Sequence, residues 1–356
     1  MTTQATSQVS IGSKDKPSPF ISLAVVLVAI IIISRPSLAE WIGEAQAHMG
    51  TEISVYLWHD DPVVGRQAVA AIFAEVARLD QLMSTYIEDS RISEINRHAA
   101  ERPVEAGDEL FRLILRSLDI SVLTRGAFDI TYDSVGQHYD FRAGKRPDPA
   151  TLADEVQLIN YRFVEADRTA GTIKFLRPGV RINLGGIAKG YAVERGIEVA
   201  QRFGVHNARV TAGGDTRLLG DRLGQPWMVG VQNPRDQGEV AVTIPLGDEA
   251  ISTSGDYERF FIEDGERYHH IIVPSTGTPA GDIRSATIIG PDAVLTDALS
   301  TSVFIMGVDQ GLRLISTLPD YEGIVIDADG VMFYSDGLRP PDLYDVSAYG
   351  TELVLV

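Results

Sequence analysis

The sequence predicts an α+β fold with mixed, largely antiparallel sheets and packed helices, and two observations lead there. Hairpin signals recur along the chain: Arg177-Pro178-Gly179, Asp264-Gly265 and Asp329-Gly330 each separate apolar runs of strand length. Amphipathic helical stretches are interspersed with these hairpins instead of alternating strictly with single strands, which disfavours a doubly wound parallel sheet. The composition supplies a real core, with 44% hydrophobic and 22% charged residues.

The N-terminus reads as a targeting segment. Lys14 and Lys16 precede an apolar run from Phe20 to Ile33, followed by Ser37-Leu38-Ala39, a small-x-small cleavage pattern. The run falls short of the ~20 residues of a membrane span, so cleavage after Ala39 is preferred over retention as an inner-membrane anchor. The expectation is an exported, periplasmic protein. The chain divides into a signal over 1–39, one domain over 40–340 and a C-terminal tail over 341–356.

Within the domain, residues 40–48 read as a short leader. Ile53, Val55 and Leu57 alternate through a first strand, and Asp61-Pro62 opens a helix whose apolar face is Val69, Ile72, Phe73, Val76, Leu79 and Met83. A polar turn leads from Asp89-Ser90 into a short helix. A second amphipathic helix starts at Asp108 and ends at Gly126, and Leu152–Leu158 suggests another short one. Residues 162–184 read as a hairpin turned at Arg177-Pro178-Gly179, with Val180, Ile182 and Leu184 on one face of its second strand. Gly185-Gly186 breaks that strand and a helix follows, capped at Gly204. Strands over 208–212, 227–231, 240–244 and 251–254 come next. Segments 260–262 and 268–273 flank Asp264-Gly265. A strand over 285–289, helices over 292–306 and 309–318 and a last hairpin turned at Asp329-Gly330 complete the domain.

Chemistry is bounded first by what is absent. There is no cysteine, hence no disulfide, thiolate ligand or cysteine nucleophile. A formal net charge of −18 argues against nucleic acid as a partner. Walker A, Rossmann and Gly-x-Ser-x-Gly patterns are missing. What remains is a strand, Gly185-Gly186, then a helix start carrying Lys189, where backbone N–H groups and one cation can meet an anion. Asp297 and Thr301, four apart on a helix, project from one face as hard oxygen ligands suited to Mg²⁺. The competing reading is a solvated Asp297 and a Thr301 bonded back to its own helix. His269 and His270, neighbours on a strand, face opposite sides, so one at most serves a site as general base. Ser252–Tyr257 reads as a polar turn.

Taken together, the motifs resemble the ApbE family of FAD:protein FMN transferases. The matching blocks run in order from Met49 to about Tyr334: Met49-Gly50-Thr51, Met83–Asn96, Ala127-Phe128-Asp129, Leu184–Ala192, Ala212-Gly213-Gly214-Asp215, Ser252–Phe260, His270–Pro279 and Thr296–Thr301. The resemblance implies a T-fold-like architecture for the domain over 40–340. The implied reaction is Mg²⁺-dependent transfer of FMN from FAD to a Ser or Thr hydroxyl of a partner protein, forming a phosphoester and releasing AMP. It assigns Gly186 (through its carbonyl), Asp297 and Thr301 to the metal. To FAD it assigns Met49, Tyr86, Ala127, Phe128, Asp129, Asn183, Lys189 and Ile272; core packing is an equal reading for Phe128. Catalytic roles fall to His270, Lys189 and Asp297. The implied acceptor is a membrane redox subunit with a short Ser/Thr-containing flavinylation motif. Asn183 and Val273 stand where the family commonly has Asp. An FAD pyrophosphatase and a non-catalytic periplasmic FAD-binding protein are the alternative readings.

Overall fold

The computed structural model describes residues 39–236, 238–338 and 354–355. The expected signal over 1–39, apart from Ala39, and most of the expected tail over 341–356 lie outside these residues. In chain order the strands are β1 (Glu40–His48), β2 (Thr51–His59), β3 (Val104–Glu105), β4 (Val164–Asp167), β5 (Thr172–Phe175), β6 (Asn207–Ala212), β7 (Asp215–Leu219) and β8 (Trp227–Gln232). They continue as β9 (Val240–Leu246), β10 (Ala250–Gly255), β11 (Phe260–Glu263), β12 (Glu266–His269), β13 (Ile283–Gly290), β14 (Glu322–Asp327), β15 (Met332–Tyr334) and β16 (Val354–Leu355). The helices are α1 (Pro62–Met83), α2 (Arg91–His98), α3 (Asp108–Leu123), α4 (Asp133–Gly136), α5 (Pro149–Glu155), α6 (Ala188–Arg202) and α7 (Ala293–Ile315).

An eight-stranded sheet of order β1-β2-β6-β7-β10-β13-β14-β15 forms the frame, and every pairing in it is antiparallel. On one face Ile53, Val55, Leu57 and Val210 pack with Val69, Ile72 and Val76 of α1 and Val193 and Ile197 of α6. Farther along that face Ala286, Ile288 and Val325 meet Leu299, Val303 and Phe304 of α7. The opposite face carries Leu218, Ile251, Ile289 and Ile324 against Trp227, Val229 and Val231 of β8. Burying each such aliphatic side chain is worth about 1.5–3 kcal/mol. Beyond the sheet, a fourth cluster joins α2, α3 and the residues leading into α6.

The α+β expectation holds, with three corrections inside it. Residues 40–48 are a strand instead of a leader: β1 pairs with all of β2, and Trp41 stacks on Tyr56 at 4.8 Å between centroids. The predicted 162–184 hairpin turns earlier. β4 and β5 are joined at 168–171, where Asp167 accepts from the N–H groups of Thr169 and Ala170 and Gly171 takes a positive φ of 65°. Residues 180–184 therefore form no strand. Their burial alternates as expected, but their N–H groups bond elsewhere: Ile182 to the Asn96 side chain at 2.8 Å, Arg181 to Ser134 and Asn183 to the Ile130 carbonyl. The third correction is the 252–257 turn: β10 runs from Ala250 to Gly255, so the overlapping 251–254 strand expectation holds and only Asp256 and Tyr257 of that segment lie beyond the strand.

Other local expectations stand. Asp61 and Asp292 cap α1 and α7 by accepting first-turn N–H groups. α7 contains the expected break at Gly307, with φ 77° and ψ 175°. The Asp264-Gly265 hairpin has positive φ at both turn residues. The tail adds β16, parallel to β8.

Candidate functional site

The site is built where α6 and α7 cross. A Cβ added to Gly190 would collide with the Ala293 carbonyl and stand 2.7 Å from the Asp297 Cβ, so only glycine allows this approach. The closeness has a chemical result. The Gly190 N–H, a first-turn donor without an intrahelical acceptor, donates to Asp297 Oδ2 at 2.8 Å. Asp297 is thereby held at the positive end of α6.

Lys189, one position earlier, turns its ammonium into the same space. It pairs with Asp215 Oδ2 and stands 3.7 Å from Asp297 Oδ1. Burial works against its charge, yet the two carboxylates prevail and hold its pKa above the ordinary lysine range. For Asp297, burial and the facing Asp215 carboxylate push the pKa up, against the pull of Lys189. Three charged groups in a buried space thus carry one surplus negative charge when all are ionised.

Thr301 lies one turn on from Asp297, and its Oγ1 is 3.2 Å from Ser254 Oγ. Its neighbour Ser300 bonds the same Ser254 hydroxyl at 2.8 Å. Gly186 closes this side: a Cβ there would lie 3.5 Å from Thr301 Oγ1 and 3.2 Å from the Phe128 ring. The structure therefore gathers Gly186, Lys189, Asp297 and Thr301, which the sequence separates by more than a hundred residues. The buried Asp297 carboxylate and the Thr301 hydroxyl are hard-oxygen donors that fit Mg²⁺, and Asp215 beside them keeps a buried oxygen without a partner.

The paired histidines separate as their register requires. His269 is buried in the core, its Nε2 2.6 Å from the Ala280 carbonyl and its ring edge-on to Phe304. His270 is partly open, with its Nδ1 buried and unpartnered, and lies within reach of the Lys189 and Arg259 charges. Burial, with help from the charges of Arg259 and Lys189, pushes its pKa down to about 3. It is neutral at pH 7, the form that can take a proton, and its lowered pKa makes it a weaker base than an ordinary histidine. A stability signature follows. The unfolded chain takes up this proton near the ordinary value of 6.5 and the folded chain only near 3, so His270 contributes stability above 6.5 that is lost as pH falls toward 3. Melting curves between pH 7 and pH 5 are expected to show a steeper decline for the wild type than for His270→Gln.

The remaining positions sort by what surrounds them. Tyr86 is 90% exposed and open to a planar ligand, whereas Phe128 is buried in the core beside Gly186. Ala127 precedes it, half-buried, in the same turn. Asp129 is largely committed to the fold: Oδ1 accepts from Thr131 N–H and hydroxyl, and Oδ2 accepts from Tyr161 N–H at 2.8 Å. Met49, at φ 51° in the β1–β2 turn, donates its N–H to Asp80. An open cleft of about 470 Å³ lies beside it, lined also by His48, Gly50 and Arg142. Ile272 is buried and bridges to Pro279.

Asn183 explains itself. Its Nδ2 donates to Asp133 Oδ1 at 3.1 Å and to Thr85 at 3.2 Å, while its Oδ1 accepts from the Gly185 N–H at 2.8 Å. A carboxylate at 183 would face that of Asp133, a buried group whose pKa burial already raises. Asn183→Asp is expected to lower stability by about 1–3 kcal/mol through this like-charge contact and lost donor. Adding Asp133→Asn restores most of it, as urea midpoints of the single and double variants will show.

Two site residues escaped the sequence reading. Asp215 was visible only as the end of a Gly-Gly-Asp block, and its partner Lys189 lies 26 positions upstream. Arg259 stands at the mouth, with Nη2 3.6 Å from where a Gly50 Cβ would be and its carbonyl accepting from His270 N–H at 3.1 Å. Its charge reaches Lys189, His270 and Tyr132.

The same arrangement has relatives. The description of the ApbE family matches residues 49–325. An FAD:protein FMN transferase of Vibrio cholerae is 33% identical over 241 residues, 65% of this chain and 71% of that protein. A Haemophilus influenzae protein of the same name is 29% identical over 282 residues, 75% and 81% of the two chains. Among solved structures, the ApbE protein from Thermotoga maritima superposes with a TM-score of 0.78 at 33% identity, covering 84% of this chain and 98% of its own. The flavin transferase ApbE from Vibrio cholerae gives 0.75 at 27% identity over the same shares.

Proposed function

The chain belongs to the ApbE family, and from that premise we propose that it transfers FMN from FAD to a serine or threonine hydroxyl of a partner protein in a Mg²⁺-dependent reaction. The observation that carries this reading is the convergence of Lys189, Asp297, Thr301 and Gly186 at one helix crossing, with His270 within reach of the Lys189 charge. The name shared by its curated relatives supports the same activity.

The residues divide the work by their chemistry. Asp297, Thr301 and the Gly186 carbonyl would hold Mg²⁺, which when bound neutralises pyrophosphate charge and polarises the phosphorus. Lys189 steadies the phosphate on the leaving side, helped by the α6 N-terminus. His270, neutral at pH 7, takes the proton of the acceptor hydroxyl. The hydroxyl oxygen then bonds to the FMN phosphorus, the bridging P–O bond breaks, and AMP departs with its electron pair. Exposed Tyr86 offers a face for a flavin or adenine ring.

The targeting pattern ahead of residue 40 supports a periplasmic location, and an acceptor in a membrane redox complex fits that compartment. Among the described residues no helix is long and apolar enough to cross a membrane. Incubation with FAD, Mg²⁺ and a Ser/Thr-bearing acceptor tests the activity. Fluorescent flavin that survives denaturation of the acceptor, with one AMP released per flavin, is expected. FMN and AMP released equally without acceptor would mark a hydrolase, and retained, unreacted FAD a binding protein.

A further inference from the structure

Asp215 opens β7 directly after Gly213-Gly214, paired in register with Ala212 of β6 and Ser252 of β10. Its side chain is 1% exposed. Oδ2 receives the Lys189 ammonium, but Oδ1 is buried without any hydrogen-bond donor. Leaving a carboxylate oxygen so forfeits its hydration with no compensating bond, a larger penalty than for a neutral group. Native structures keep such orphans chiefly where a ligand, ion or water completes them.

Neutralising Lys189 does not by itself call for Asp215. Asp297 stands 3.7 Å from the same ammonium and could pair with it alone. With both carboxylates present, the ammonium is drawn to Asp215 and Asp297 is left with its Oδ1 only loosely engaged. With both carboxylates ionised, the buried surplus negative charge, the partnerless Asp215 Oδ1 and the loosely engaged Asp297 Oδ1 make a place for a divalent cation and its water.

We infer that Asp215 is a positioning residue of the cation site. Its Oδ2 draws the Lys189 ammonium away from Asp297, and its Oδ1 accepts a hydrogen bond from a water held by the cation. This rests on the proposed Mg²⁺ site and adds to it a residue outside the ligand set. A purely structural Asp215 would matter for stability and leave metal affinity alone.

Mn²⁺ titrated into the FAD-loaded full chain, with free Mn²⁺ followed by its paramagnetic resonance signal, separates the cases. Asp215→Asn keeps the shape and removes the charge; Asp215→Ser replaces it if the Asn variant does not fold, as judged by circular dichroism. The expected result is an Mn²⁺ dissociation constant raised about 10–100-fold, with partial recovery in Asp215→Glu. A folded charge-free variant that binds Mn²⁺ like the wild type overturns the inference and leaves the proposed function standing. A wild type that binds no Mn²⁺ overturns both.

Discussion

Asp297→Ala is expected to lower Mg²⁺-dependent flavin transfer by at least ~10³-fold, corresponding to about 4 kcal/mol of lost transition-state stabilisation. Asp297 is the point where the site's elements join: it takes the Gly190 N–H, faces Lys189 and stands one turn before Thr301. No other carboxylate aligns with Thr301 on α7. Stability should move far less than activity, because Asp297 is a buried acid whose pKa is raised by burial and by Asp215. Its removal relieves that repulsion and leaves Lys189 paired with Asp215 alone. Initial rates of AMP release, set beside thermal melts of the same samples, separate the two effects.

Lys189→Met is expected to do the reverse as well as lose activity. The ammonium lies between two buried carboxylates, and removing it leaves both uncompensated. Breaking a buried pair costs about 3–5 kcal/mol, which for a domain of this size lowers Tm by roughly 6–10 °C. The loss has a distinctive rescue. Mg²⁺ held by Asp297 replaces part of the missing charge, so Mg²⁺ should raise the Tm of Lys189→Met more than that of the wild type. The Lys189→Met/Asp297→Ala double variant should melt above Lys189→Met and lose its response to Mg²⁺. A Lys189→Met protein as stable as the wild type would show that the cluster is not held by charge.

What the sequence disclosed depended on how local the cause was. Helix caps such as Asp61 and Asp292, the Asp264-Gly265 turn and the four-residue spacing of Asp297 and Thr301 are written within a few positions. The alternation of Val180, Ile182 and Leu184 was equally legible, and their burial follows it. It misled about the partner: the ladder a strand needs is supplied by Asn96, 86 positions away. β1 was missed because its pattern is mostly exposed, and only its pairing with β2 and the packing of Trp41 keep it in the sheet. The meaning of Asn183 was hidden for the same reason, since Asp133 had to be brought within 3.1 Å before an amide made sense. Asp215 is the extreme case. Its role is set by Lys189 from one helix and Asp297 from another, and no spacing rule connects them.

The proposed reaction at this helix crossing is covalent transfer of FMN to a protein. Intact-mass measurement of an acceptor membrane redox subunit, after incubation with the full chain, FAD and Mg²⁺, tests it most directly. The predicted result is a mass increase of one FMN less one water on a serine or threonine, absent with EDTA and absent with Asp297→Ala. An acceptor of unchanged mass alongside Mg²⁺-dependent release of FMN and AMP, or a mass increase that persists in EDTA, would contradict it.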